Sequence, residues 1–157
     1  MTKFYNMMPE HKRKFKIAIA DDDAEDREFF QEVLETITSE VELSVYMNGM
    51  ELLKGLLDSK DDLPDLVFLD LNMPVMNGIA ALTEIRNIDV FKKIPVIAIY
   101  STSTSPKDQI DTFNLGADAY ISKPNDYGVL KRVLQKVLEI DWTTWNKDKD
   151  NFIIDSN

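Results

Sequence analysis

Asp70 ends the apolar run Leu66-Val67-Phe68-Leu69 and gives way at once to a turn, Leu71-Asn72-Met73-Pro74-Val75-Met76-Asn77-Gly78. Val67, Phe68 and Leu69 show no polar alternation, which suits a strand covered on both faces of a parallel sheet. The acid therefore surfaces at a strand's carboxyl end, where open parallel sheets bind their ligands. A carboxylate there can be a nucleophile, a metal ligand or the cap of the next helix. Three further sites follow apolar runs in the same way: Asp21-Asp22, Ser101 and Lys123-Pro124. Singly, each has an ordinary explanation. Asp22 or Asp23 could cap a helix with Asp26 completing a capping box, Ser101 could be a turn hydroxyl, and Lys123 a solvated lysine.

Together at one edge they describe a chemistry. Three crowded carboxylates repel one another and have raised pKa values unless a cation joins them. Mg²⁺ takes few carboxylates and keeps several waters, as in sites that handle phosphoryl groups. The cation and a lysine ammonium would neutralise phosphoryl oxygens, and a hydroxyl would donate to one of them. A carboxylate held in line would then be the nucleophile, giving an acyl phosphate.

The elements that must position these groups are legible from periodicity. Strands are expected over 15–20, 41–47, 65–70, 94–100 and 117–122, separated by helices over 24–37, 49–57, 78–88 and from Pro106 to near Leu115. A last helix is expected over 125–139, with Val129, Leu130, Val133, Leu134, Val137 and Leu138 on its apolar face. Strands thus recur about every 25 residues, as five βα units whose right-handed crossovers place helices on both faces of the sheet. The expected fold is α/β, a doubly wound five-stranded parallel sheet.

Composition narrows the function. The 157 residues are 44% hydrophobic and 29% charged, enough for one domain with a substantial core. The absence of cysteine excludes disulfides, a thiol nucleophile and a thiolate zinc site. The single histidine, His11, lies in a basic stretch, which argues against a histidine-centred hydrolase or a multi-histidine metal site. A net charge of −10 opposes direct nucleic-acid binding. With no apolar stretch of membrane-spanning length and no signal-peptide pattern, the expectation is a cytoplasmic protein without a membrane segment.

The chain resembles the receiver domain of two-component response regulators, of the stand-alone, chemotaxis-regulator-like kind. The resemblance rests on Asp21-Asp22, the stretch Leu69 to Gly78, Ser101-Thr102-Ser103, and Tyr120-Ile121-Ser122-Lys123-Pro124, in that order. It implies a flavodoxin-like (βα)5 fold over 15–139, with an N-terminal extension over 1–14 and a tail over 140–157. It also implies that Asp70 accepts a phosphoryl group from a sensor histidine kinase or a histidine phosphotransfer protein. Asp21, Asp22, Asp70 and the main-chain carbonyl of Asn72 would hold Mg²⁺ or Mn²⁺. Lys123 would pair with Asp70 and then with the phosphoryl group, and Pro124 matches a cis-proline. Ser101 and Tyr120 match the switch hydroxyl and the aromatic that follows it, which together reshape a protein-binding face. Asn72 and Ser103 match the positions that flank an attacking water, and neither is acidic.

The pattern has two departures. One residue more than usual stands between Pro95 and Ser101, which a bulge in the fourth strand or an earlier strand start would absorb; a slipped register would bring Tyr100 or Thr102 into Ser101's place. Asn77 stands at a turn position that holds Asp in many relatives. No output domain is expected after residue 139, so the chain would act on a protein target or within a relay. Trp142 and Trp145 would extend and pack against the last helix, or form a docking or dimer surface. An aspartyl-phosphate hydrolase is disfavoured because Asn72 stands where its general acid would be. A flavodoxin-type cofactor binder lacks a separate phosphate cradle. A receiver-like interaction module that works without phosphorylation is the alternative.

Overall fold

Side-chain alternation along the two central strands builds two cores, one on each face of a single sheet. From β1 (Phe15–Ala20), Phe15, Ile17 and Ile19 enter one core, while Ala18 and Ala20 enter the other. From β3 (Leu66–Leu69), Leu66 and Phe68 join the first core, Val67 and Leu69 the second. All four residues of β3 are buried, as expected for a strand covered on both faces.

The computed structural model describes residues 14–94, 97–101 and 105–157. Among these, the remaining strands are β2 (Val41–Tyr46), β4 (Ile97–Ser101) and β5 (Ala119–Ser122). The α-helices are α1 (Ala24–Ile37), α2 (Gly49–Asp58), α3 (Gly78–Asn87), α4 (Pro106–Asn114) and α5 (Tyr127–Glu139). The sheet is parallel, in the order β2-β1-β3-β4-β5. The first core holds Phe30, Val33 and Leu34 of α1 with Leu130, Val133 and Leu134 of α5. The second holds Leu52, Leu53 and Leu56 of α2 with Ala81, Leu82 and Ile85 of α3. This is the expected doubly wound α/β fold. No helix of the described residues is long and apolar enough to cross a membrane.

Caps fix the helix starts. Asp23 accepts from the amides of Glu25 and Asp26 ahead of α1, and Asn77 accepts from Ala80 ahead of α3. The last helix begins at Tyr127 rather than at 125, because Asp126 is its cap and accepts from Val129. In β4 the register runs unbroken from Ile97 to Ser101 against β3 and β5, so no bulge interrupts the described strand. Ser101 is its last residue. Pro95, Val96, Thr102 and Ser103, on which the spacing question and one flanking position rest, lie outside the described residues, as do His11 and the extension up to residue 13.

The tail does not lengthen α5, which stops at Glu139 with Ile140 as its cap. Trp142 is buried against the first core and its Nε1 donates to the carbonyl of Val137, while Trp145 donates to the carbonyl of Asp118. The chain then returns to the open edge of β5, where Ile153 bridges Tyr120 in parallel. Both tryptophans thus pack against the first core.

Candidate functional site

Register brings the site together. Ala20 is paired with Leu69, and Leu69 with Ile99, so Asp21 and Asp70 emerge side by side one residue further on. The backbone locks that placement: the Asp70 amide donates to the Ala20 carbonyl at 3.0 Å and the Asp21 amide to the Tyr46 carbonyl at 3.0 Å. Lys123 reaches the same edge because its amide donates to the carbonyl of Ser101 at the end of β4. No cis peptide occurs among the described residues, so the bond before Pro124 is trans rather than the cis form that the resemblance implied.

Lys123 is the centre of the cluster. Its Nζ lies 2.6 Å from Asp21 Oδ2, 2.9 Å from Asp70 Oδ2 and 3.0 Å from Asp26 Oδ2. It also stands 5.3 Å from the centre of the Tyr100 ring, in cation–π range. Burial pulls its ammonium down. The hydrogen bonds and charges of Asp21 and Asp70 more than offset this, so the lysine holds its proton more tightly than a free one. Asp21 is fully buried, and burial pushes its carboxyl up despite the Lys123 contact.

The oxygens of Asp70 are divided between two donors: Oδ2 accepts from Lys123, and Oδ1 accepts from the Asn72 amide at 3.0 Å. Asp22 is exposed at the rim, yet one carboxylate oxygen each from Asp21, Asp22 and Asp70 lies within 4.8 Å of the others. One ammonium thus serves a cluster of carboxylates that outnumber it. An all-oxygen donor set with uncompensated negative charge fits a hard divalent cation, so these residues suit Mg²⁺ or Mn²⁺.

Asp26 also belongs to the cluster. A capping box would have it reach back to the helix cap. Instead the amide of Asp23 is taken by Asp21 Oδ1, and the Asp26 carboxylate turns to Lys123. The available signal was its place one helical turn after Asp22, on the face that returns to the strand ends. A slipped register would put Tyr100 in the place of Ser101. It instead packs into the first core edge-on to Phe30 and Phe68, at 5.8 and 6.1 Å, and burial pushes its phenol up. Ser101 and Tyr120 are both fully buried on neighbouring strands.

The loop after Asp70 carries strain. Val75 has φ of +66°, and the Met76 amide donates to the carbonyl of Pro74 at 2.7 Å, a γ-turn of the rare, strained hand. A β-branched residue in that region costs roughly 1–3 kcal/mol. Val75 is 79% exposed, so its side chain contributes little packing in return. We expect Val75→Gly to raise stability by up to about 1 kcal/mol, glycine's own entropy cost offsetting part of the relief; urea unfolding checks this.

A family model described as "Response regulator receiver domain" matches residues 17–135. The chain is 30% identical over 125 residues to "Response regulator Rcp1" of Synechocystis, covering 77% of this chain and 84% of that protein. It is 31% identical over 123 residues to "Hybrid signal transduction histidine kinase L" of Dictyostelium discoideum, covering 77% of this chain but only 7% of that protein. The structure of the Mn(2+)-bound form of Rcp1 aligns with a TM-score of 0.70 at 26% identity, covering 79% of this chain and 94% of that one. That of the phosphorylated cyanobacterial phytochrome response regulator RcpA gives 0.74 at 28% identity, covering 85% and 97%.

Proposed function

Because the chain belongs to the response regulator receiver domain family of two-component signalling, we propose that Asp70 is its phospho-acceptor. The observation that carries this reading is the Lys123 ammonium, held between Asp21 and Asp70 at the mouth of the sheet. The donors are a sensor histidine kinase or a histidine phosphotransfer protein. A Mg²⁺ or Mn²⁺ ion held by Asp21, Asp22, Asp70 and the Asn72 carbonyl would neutralise phosphoryl oxygens.

The chain's own residues do the rest. Asn72 N–H and Lys123 fix the rotation of the Asp70 carboxylate, so that one oxygen faces the incoming phosphorus. That oxygen forms a bond to phosphorus as the phosphorus–nitrogen bond of the donor phosphohistidine breaks. The imidazole leaves with the bonding pair, and a mixed carboxylic–phosphoric anhydride remains. Lys123 follows the charge from the carboxylate onto the phosphoryl oxygens, and the Ser101 hydroxyl is the donor drawn toward them. Tyr120, on the adjoining strand, transmits the change to a face that binds a downstream protein.

Incubation with acetyl phosphate and Mg²⁺, read by intact mass, tests this. The expected result is the gain of one phosphoryl group, absent when a chelator is present from the start and absent in Asp70→Asn. A folded wild-type chain that takes up nothing from any donor would instead favour a receiver that binds partners without phosphorylation.

A further inference from the structure

The switch tyrosine is also the seat of the tail. Tyr120 N–H donates to the carbonyl of Phe152 at 2.7 Å, and Ile154 N–H donates to the carbonyl of Tyr120 at 2.9 Å. Residues 152–154 therefore lie along the open edge of β5, joined to it by one parallel bridge with Ile153 opposite Tyr120. The Phe152 ring sits 5.0 Å from Phe113 of α4, edge-on, and 6.4 Å from the ring of Tyr120. Lys147 ties the approach down by donating to the carbonyls of Phe113 and Ala117, at 2.6 and 2.7 Å.

Two features of this segment bear on what it covers, although Phe152 and Ile154 are themselves buried. The main-chain attachment is a single bridge, while the segment leading to it, residues 146–151, is polar and of mixed charge. The strap also leaves the seat partly unfilled. Between it and α4 runs a groove of about 310 Å³ that includes Ile110, Phe113, Phe152 and Ile153, with Ile110 59% exposed. The lever is short: Lys123 is bonded through its amide to Ser101, and both adjoin the strand whose Tyr120 backbone holds the strap.

We propose that the edge of β5 is this chain's partner-binding surface, closed by its own residues 146–154, and that phosphorylation of Asp70 frees it for an extended partner segment. That segment adds as a strand beside β5 and places an aromatic side chain where Phe152 sits. Main-chain pairing supplies the attraction and the aromatic pocket the selectivity. This rests on the phospho-acceptor reading above. By linkage, a strap that phosphorylation loosens must also hold the acceptor site back while it is docked.

The test uses the full chain with Mg²⁺ and beryllofluoride. Fluorine NMR reports loading of the acceptor site, amide exchange is followed at Tyr120 and Ile154, and a labelled peptide of residues 146–157 is the probe for the seat. Loading should speed exchange at both amides by about tenfold, within the usual range of coupling between sites. The peptide should bind the loaded chain and neither the unloaded chain nor Asp70→Asn. A loaded chain in which either signal stays unchanged overturns the proposal and leaves the acceptor reading intact. A chain that never loads overturns the acceptor reading, and the coupling with it.

Discussion

Lys123→Ala is expected to lower stability by about 3–5 kcal/mol in metal-free buffer, the range for breaking a buried ion pair by removing one partner. The Lys123 side chain is 7% exposed, and it faces Asp21 at 0% and Asp70 at 8%. Its loss would leave those carboxylates buried against one another, with Asp26 close by. The stability should be regained in part by Mg²⁺, since a divalent cation bound by the same oxygens replaces the missing charge. Phosphoryl uptake should not be regained. An ammonium aimed at developing negative charge is a donor of the kind whose removal costs on the order of 10²-fold in rate. Thermal unfolding with and without Mg²⁺, beside initial rates with acetyl phosphate, separates the two effects. Equal stability of variant and wild type without metal would show that the lysine does not hold the cluster together.

Gly78→Ala should be nearly as damaging for a steric reason. A Cβ at this position would lie 2.2 Å from the carbonyl oxygen of Asp70, 2.8 Å from Leu71 Cα and 2.9 Å from the Asp70 carbonyl carbon. All three are backbone atoms, so no side-chain rotation relieves the clash. Either the start of α3 moves away or the backbone of Asp70 does. The expected cost is about 3 kcal/mol, at the upper end of ordinary overpacking, with a loss of phosphoryl uptake greater than the loss of folded protein explains. Asn77→Ala is the control. It removes the α3 cap bond to Ala80 for about 1 kcal/mol and places nothing against Asp70. Urea unfolding and uptake rates on the two variants should therefore diverge.

Much of the fold was legible because parallel βα units write themselves plainly. A strand buried on both faces reads as an unbroken apolar run, as Val67-Phe68-Leu69 does, and helices such as α5 repeat their apolar face with a helical period. The gathering of Asp21, Asp70 and Lys123 then follows from where parallel strands end in chemistry, whereas the order β2-β1-β3-β4-β5 comes from the fold. The expected bounds went astray where a single cap decides. Asp126 caps α5 and Tyr127 opens it, two residues after the expected start, while its end at Glu139 is the expected one. The trans bond before Pro124 shows a different limit, since an X–Pro bond separates its two isomers by only ~0.5–1 kcal/mol.

What periodicity could not supply were the contacts between distant segments. Asp26 carries a plausible local role as a capping residue, and only the fold shows Lys123 near enough to draw it away. The path of the tail was hidden for the same reason. Phe152-Ile153-Ile154 is too short to be read as a strand, and pairs through a single bridge only beside the open edge of β5. No sequence feature of Trp142 and Trp145 separates packing from docking, and the bonds of their indole N–H groups to the carbonyls of Val137 and Asp118 come only with the fold.

The most direct test of the central claim is to locate the phosphoryl group after reaction with acetyl phosphate and Mg²⁺. Peptide mapping should place it at Asp70 alone, as an acyl phosphate that hydroxylamine removes. A phosphoryl group found on another residue, Ser101 included, or one that resists hydroxylamine, would contradict the assignment of Asp70 as the acceptor.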